Sequence, residues 1–206
     1  MHDPQADSED VEQKRLAPRV GSLDGTCAGL FANGKPAATP TLEVVEERIT
    51  EKYPDVSCVR YSVDHMNMLK NEDEMGRIED WATAKPDVCI GALGDCGSCT
   101  KYLVYGLNTI EEAGVPTVGL IDAGFELDWK TNSKDFGRPL RCFTLPALAE
   151  VTDRDRIRRT ISSEVFDEIE RELVRPASDS SRSDDTRSES QTLRDTSAED
   201  VDGVRR

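Results

Sequence analysis

Short apolar runs alternate with amphipathic stretches through the middle of the chain. Runs rich in strand formers occur at Cys27 to Ala32, Val56 to Val63, Asp87 to Ala92, Pro116 to Ile121 and Leu140 to Leu145, and each is followed by turn-forming residues. Helical periodicity covers Thr41 to Lys52, Glu72 to Ala84, Ser98 to Ala113 and Asp153 to Leu173. In the last of these, Ile157, Ile161, Val165, Ile169 and Leu173 recur every fourth residue and fall on one face of a single long helix. Strands alternating with helices predict an α/β fold: an open parallel sheet of about five strands, flavodoxin-like or Rossmann-like, with right-handed crossovers and helices on both faces. Ligands of such sheets bind beyond the carboxyl ends of the strands. The loops to inspect are therefore ANGKPAAT after the first strand, GDCGSC after the third and DAGFE after the fourth.

The two ends lack this pattern. From Pro176 onward the sequence is rich in Ser, Asp and Arg with isolated apolar residues, too few to offset the entropy of ordering. The expected organisation is an acidic, disordered N-terminus over residues 1–18, one α/β domain over 19–175 and a disordered tail over 176–206.

Charge narrows the partners. There are 41 acidic and 26 basic residues, a formal charge of -15, so a phosphate backbone is repelled and nucleic acid is not an expected partner. Such acidity keeps a surface solvated; with lysine sparse, it also fits adaptation to high salt, where screening removes most self-repulsion. The first 15 residues are polar and acidic, with no apolar signal core, and no later run approaches the roughly 18–20 apolar residues of a membrane span. A soluble, cytoplasmic protein is expected, with no membrane partner; a homo-oligomer is compatible with the sequence. In a reducing compartment, close cysteines are more often metal-binding or redox-active than structurally bridged.

GDCGSCT, residues 94–100, carries such a pair. With Ser98 as N-cap of the following helix, Cys96 lies in the turn before it and Cys99 in its first turn. Amides and the positive end of the helix dipole then face the Cys96 sulfur, a setting that lowers a thiol pKa from about 8.5 towards neutrality. A bond formed at Cys96 can be resolved by attack from Cys99. Gly94 and Gly97 remove side chains where a substrate or backbone comes close. Asp95 opposes thiolate formation unless it points away or acts as general acid or base. A zinc half-site is the competing chemistry, but its partners would be the scattered Cys27, Cys58, Cys89, Cys142, His2 and His65, so no metal is assigned. A tight turn alone accounts for the glycines and not for two cysteines in this register. The other four cysteines lie in apolar strands and read as small buried hydrophobes.

GDCGSCT, the amphipathic helix after it, EEAGVPTVGLI, and FANGKPAA near the start together resemble the UGSC family, named for a selenocysteine-Gly-Ser-Cys motif that many members carry with cysteine. The likeness runs from about Val20 to about Pro146. A shorter one links the motif to the selenocysteine segment of component B of glycine reductase and its proline reductase relative. The resemblance implies redox or reductive chemistry with Cys96 in the selenocysteine position and Cys99 as partner thiol.

In the first loop, Asn33, Gly34 and Lys35 offer amides and an ammonium to a carboxylate or phosphate, or else form a plain turn. Phe125 could wall a pocket, and His65 is left outside the site. The leading expectation is a thiol oxidoreductase or reductive-cleavage enzyme acting on a small anionic substrate. Cys96 is nucleophile, Cys99 the resolving thiol and Asp95 acid or base, while Asn33, Gly34, Lys35, Gly97, Ser98 and Thr100 bind substrate and an external thiol or protein reductant restores the pair. The alternatives are a non-redox cysteine enzyme of lyase, hydrolase or racemase type and a non-catalytic ligand-binding or assembly module. No cofactor is expected, since Gly-x-Gly-x-x-Gly is absent.

Overall fold

The computed structural model describes residues 13–146 and 148–174. In chain order the elements are β1 (Cys27–Ala32), α1 (Ala38–Lys52), β2 (Ser57–Ser62), a 3-10 turn (Met66–Lys70), α2 (Glu72–Ala84) and β3 (Val88–Gly94). They continue with α3 (Gly97–Glu112), β4 (Thr117–Asp122), α4 (Glu126–Asp135), β5 (Cys142–Leu145), α5 (Arg154–Thr160) and α6 (Ser163–Val174).

All strands pair in parallel, in the order β2-β1-β3-β4-β5, the flavodoxin-like arrangement. Burial on both faces explains why the inner strands read as continuous apolar runs. β3 and β4 are buried throughout, whereas the edge strand β2 is half-exposed. Alternate residues feed two cores. Leu30, Ile90 and Leu120 pack with Val45 and Ile49 of α1, Ile157 of α5 and Phe166 and Ile169 of α6. Phe31, Cys89 and Ile121 face the other way, towards Ile78 and Trp81 of α2, Leu103 and Leu107 of α3 and Trp129 of α4.

Trp129 lies so close to the sheet that a Cβ on Gly119 would fall 2.1 Å from its ring, and its indole N–H donates to the Leu140 carbonyl at 2.8 Å. This docking holds α4, which the sequence pattern does not reveal because Trp129 and Ser133 alone are buried along it.

The C-terminal helix is two helices. The chain breaks after Thr160; Ser162 then starts α6, its hydroxyl accepting from Val165 N–H and its carbonyl from Phe166 N–H. Both helices bury the same apolar face, which is why the spacing looked continuous.

Residues 13–18, expected outside the folded domain, pack against the end of α3 and the turn after α4. Ala17 N–H donates to Glu111 at 2.7 Å, Arg19 pairs with the same carboxylate at 2.7 Å, and Arg138 holds the Arg15 carbonyl at 2.7 Å. The Arg19 and Glu111 side chains are 1% and 0% exposed, so breaking the pair would leave a buried charge, a loss on the order of 3–5 kcal/mol. Residues 1–12 of the expected N-terminal extension, and the tail from Pro176, lie outside the described residues. Among the described residues no helix is long and apolar enough to cross a membrane.

Candidate functional site

With this strand order, β1 and β3 are neighbours whose following connections leave in opposite directions, which opens a crevice beyond their carboxyl ends. The turn after β1 and the turn after β3 meet there. Asn33 joins them. Its amide donates to the carbonyls of Leu93 at 3.1 Å and Cys99 at 3.2 Å, and its oxygen accepts from the N–H groups of Leu93 at 3.2 Å and Lys35 at 3.3 Å. The side chain is fully buried, so it holds the site together and does not line it.

Gly34 has φ +83°, and a Cβ there would stand 2.8 Å from the Met66 nitrogen, so the turn requires glycine. That turn aims Lys35 at Asp95. The ammonium lies 3.4 Å from Asp95 Oδ1, with the lysine side chain 13% exposed and the aspartate side chain 0% exposed. Asp95 Oδ2 accepts from Glu150 N–H at 3.1 Å. Oδ1 makes no hydrogen bond, so its contact with Lys35 is one of charge. The carboxylate expected to oppose the thiolate is therefore matched by an ammonium.

Cys96, not Ser98, is the N-cap. Helix α3 starts at Gly97, and the Cys96 sulfur accepts from Cys99 N–H at 3.1 Å, satisfying an amide of the first turn. A cap two residues earlier than Ser98 places the sulfur at the helix mouth instead of in the turn ahead of it. Cys96 and Cys99 are joined as a disulfide, their Cα atoms 5.1 Å apart. Their exposure differs: Cys96 is half-buried and Cys99 is inaccessible.

Thr100 is also buried, its hydroxyl donating to the Cys96 carbonyl at 2.8 Å. Of the residues expected to touch substrate, Gly97 and Ser98 face solvent. The Ser98 hydroxyl lies 3.5 Å from the Cys96 sulfur. A methyl on Gly97 would meet Asp128 Oδ1 at an ordinary 3.5 Å, whereas on Gly94 it would press on Thr100 and Ile121 at 2.9 Å. Gly94 is thus needed for packing, and Gly97 leaves the helix mouth open.

Sequence reasoning missed Asp122. Buried at the end of β4, it accepts from Leu148 N–H at 2.7 Å and Ala149 N–H at 3.0 Å, and so fixes the β5–α5 loop whose next amide reaches Asp95. The signal was the aspartate that closes an apolar strand and opens the DAGFE loop. Phe125 is the half-buried residue before α4, and His65 is exposed and caps the 3-10 turn.

Among the described residues, one grouping brings three metal-ligating side chains together: a carboxylate oxygen of Asp95 and both sulfurs lie within 4.8 Å of one another. Both sulfurs are bonded to each other, so in this state the grouping offers a cation only the carboxylate. The remaining cysteines differ in burial: Cys89 is buried, while Cys27, Cys58 and Cys142 are half-buried, short of the full burial expected. Desolvation, then Glu46, pushes the Cys58 thiol up to about 11. Desolvation, with Glu126 and Glu172, pushes Cys142 up to about 12. Burial raises Cys89 further still, with Glu111 adding to it. These three are thiols at neutral pH.

The chain is thus a doubly wound α/β protein with a Cys-Gly-Ser-Cys pair at the mouth of its switch-point helix. The sequence model of the UGSC family matches residues 1–175, and the chain belongs to that family. Among curated proteins none matches the chain.

Proposed function

We propose that this protein is a thiol-based redox or reductive-cleavage enzyme acting on a small anionic substrate. The observation that carries the reading is the pair of sulfurs at bonding distance with unequal exposure, at the crevice where such folds bind ligands. The Cys96 thiolate attacks the scissile bond of the substrate and displaces one fragment with its electron pair. Cys99 then attacks Cys96 Sγ, displaces the second fragment and leaves the disulfide, so that the substrate gains two electrons. An external thiol or protein reductant, of the kind the cytoplasm supplies, restores the dithiol.

The first turn of α3, at the exposed Gly97 and Ser98, receives the anionic group, and Lys35, paired with Asp95 of the turn ahead of the helix, supplies positive charge. Asn33, Gly34 and Thr100 set that geometry from below. Asp95 belongs to the catalytic group as its acid or base.

A Cys99→Ser variant incubated with cell extract tests the reading, because the adduct on Cys96 can no longer be resolved. Mass spectrometry is expected to find a covalent adduct on Cys96 that is absent in Cys96→Ser. Loss of the adduct together with full turnover in Cys99→Ser would instead favour non-redox cysteine chemistry.

A further inference from the structure

The disulfide can be opened from one side. Cys99 is inaccessible, so an incoming thiolate must bond to Cys96 Sγ and the S–S electron pair must leave on Cys99 Sγ. A thiolate then forms in a place closed to water, next to a carboxylate oxygen within 4.8 Å. Without a proton this leaving group is disfavoured twice, by desolvation and by the neighbouring negative charge.

We propose that Asp95 and Lys35 form a proton relay serving Cys99. The inference rests on the thiol-redox reading above and adds to it which sulfur the acid serves and how the proton reaches water. When a reductant thiolate bonds to Cys96, a proton passes from the Lys35 ammonium through the Asp95 carboxylate to Cys99 Sγ, and Asp95 ends as the carboxylate it was. Lys35, left as the amine, recovers a proton from water. The second thiol of the reductant then displaces Cys96 as thiolate and closes its own disulfide, so two electrons pass from reductant to pair. In the substrate direction the order reverses: Asp95 takes the Cys99 proton as Cys99 attacks Cys96.

Three features fit this role. Asp95 is anchored through Oδ2 by the Glu150 amide, while Oδ1 is buried, without a hydrogen bond, and faces the ammonium. Lys35 keeps 13% side-chain exposure and so links the buried carboxylate to solvent. The neighbouring acids are placed for other work: Asp122 is held by the Leu148 and Ala149 amides, Asp128 stands outside Gly97, and Glu126 accepts from Gly124 N–H. The Glu150 side chain is exposed.

The test is the rate at which excess dithiothreitol opens the pair in oxidised full-length protein, at fixed thiolate concentration, read by acid quench, alkylation and mass spectrometry. Wild type, Asp95→Asn and Lys35→Gln are compared in water and in deuterium oxide. A carboxylate acting as a mere neighbouring charge slows departure of the Cys99 thiolate, so Asp95→Asn would be as fast as wild type or faster. The relay predicts the opposite sign: Asp95→Asn slower by roughly a hundred-fold, the usual scale of general acid catalysis, with the wild-type deuterium effect lost. Asparagine keeps an oxygen for the Glu150 amide, so the loop is retained. If Asp95→Asn does not fold, Lys35→Gln decides by its isotope effect, since loss of the lysine charge slows opening in either case: loss of the deuterium effect supports the relay, and a deuterium effect equal to wild type overturns it. A wild-type pair that dithiothreitol does not open would overturn the thiol-redox reading as well, whereas normal wild-type opening with an equally fast Asp95→Asn overturns the relay alone.

Discussion

Replacing Asn33 by alanine separates the two turns that build the site. The amide makes four hydrogen bonds, to both backbone groups of Leu93, to the Cys99 carbonyl and to Lys35 N–H. Asn33, Leu93 and Cys99 are all 0% exposed, so water does not step in. The Cys99 carbonyl keeps its place in the helical ladder, and Lys35 N–H sits nearer the surface. The full penalty therefore falls on Leu93 N–H and C=O, at about 1–3 kcal/mol each or about 2–6 together. Against a total stability of roughly 5–15 kcal/mol this is a large fraction. In urea, with a slope near 2 kcal/mol per molar, the midpoint should fall by about 1–3 M with the slope unchanged. A shift below about 0.5 M would mean that the side chain is not the joint between the turns.

Alkaline pH should weaken the fold through its buried thiols. Burial holds the Cys89 proton in the folded state, while the unfolded chain releases it above about pH 8.5; the stabilising contribution is complete below that pH and is lost as pH rises towards the raised folded value. The expected loss is about 1.4 kcal/mol per pH unit for this thiol between about pH 8.5 and 10, measured by urea unfolding, and Cys89→Ala should flatten it. A pH-independent midpoint in that window would contradict it. Salt should act in the other direction: with a formal charge of -15, melting temperature is expected to rise between low and molar salt as self-repulsion is screened. A constant or falling melting temperature would remove the high-salt reading of the acidity.

The sheet was legible because parallel strands buried on both faces are continuous apolar runs, and β1, β3 and β4 are such strands. What the sequence hid depends on partners far along the chain. Helix α4 is held by one tryptophan against one glycine, so it has no period to read. The strap of residues 13–18 is too short to show a period and is ordered by Glu111, more than ninety residues away. The break between α5 and α6 falls where the fourth-residue spacing survives it. At the site, the Cys-Gly-Ser-Cys pair and the Asn-Gly-Lys turn were visible as chemistry, but the direction of each side chain was not. Asn33 turns inward to both backbone groups of Leu93, in the stretch where β3 shifts register against β4 between Gly91 and Gly94. Lys35 meets Asp95 across two turns that only the sheet brings together.

In the proposed chemistry Cys96 is the attacking sulfur. Fully reduced protein treated at neutral pH with a limiting amount of iodoacetamide, then digested and mapped, tests it directly. Label is expected on Cys96 well ahead of Cys58 and Cys142, whose thiols are pushed up to about 11 and about 12 by burial, and ahead of the inaccessible Cys89 and Cys99. Label spread evenly over the cysteines, or a total uptake unchanged in Cys96→Ser, would contradict it.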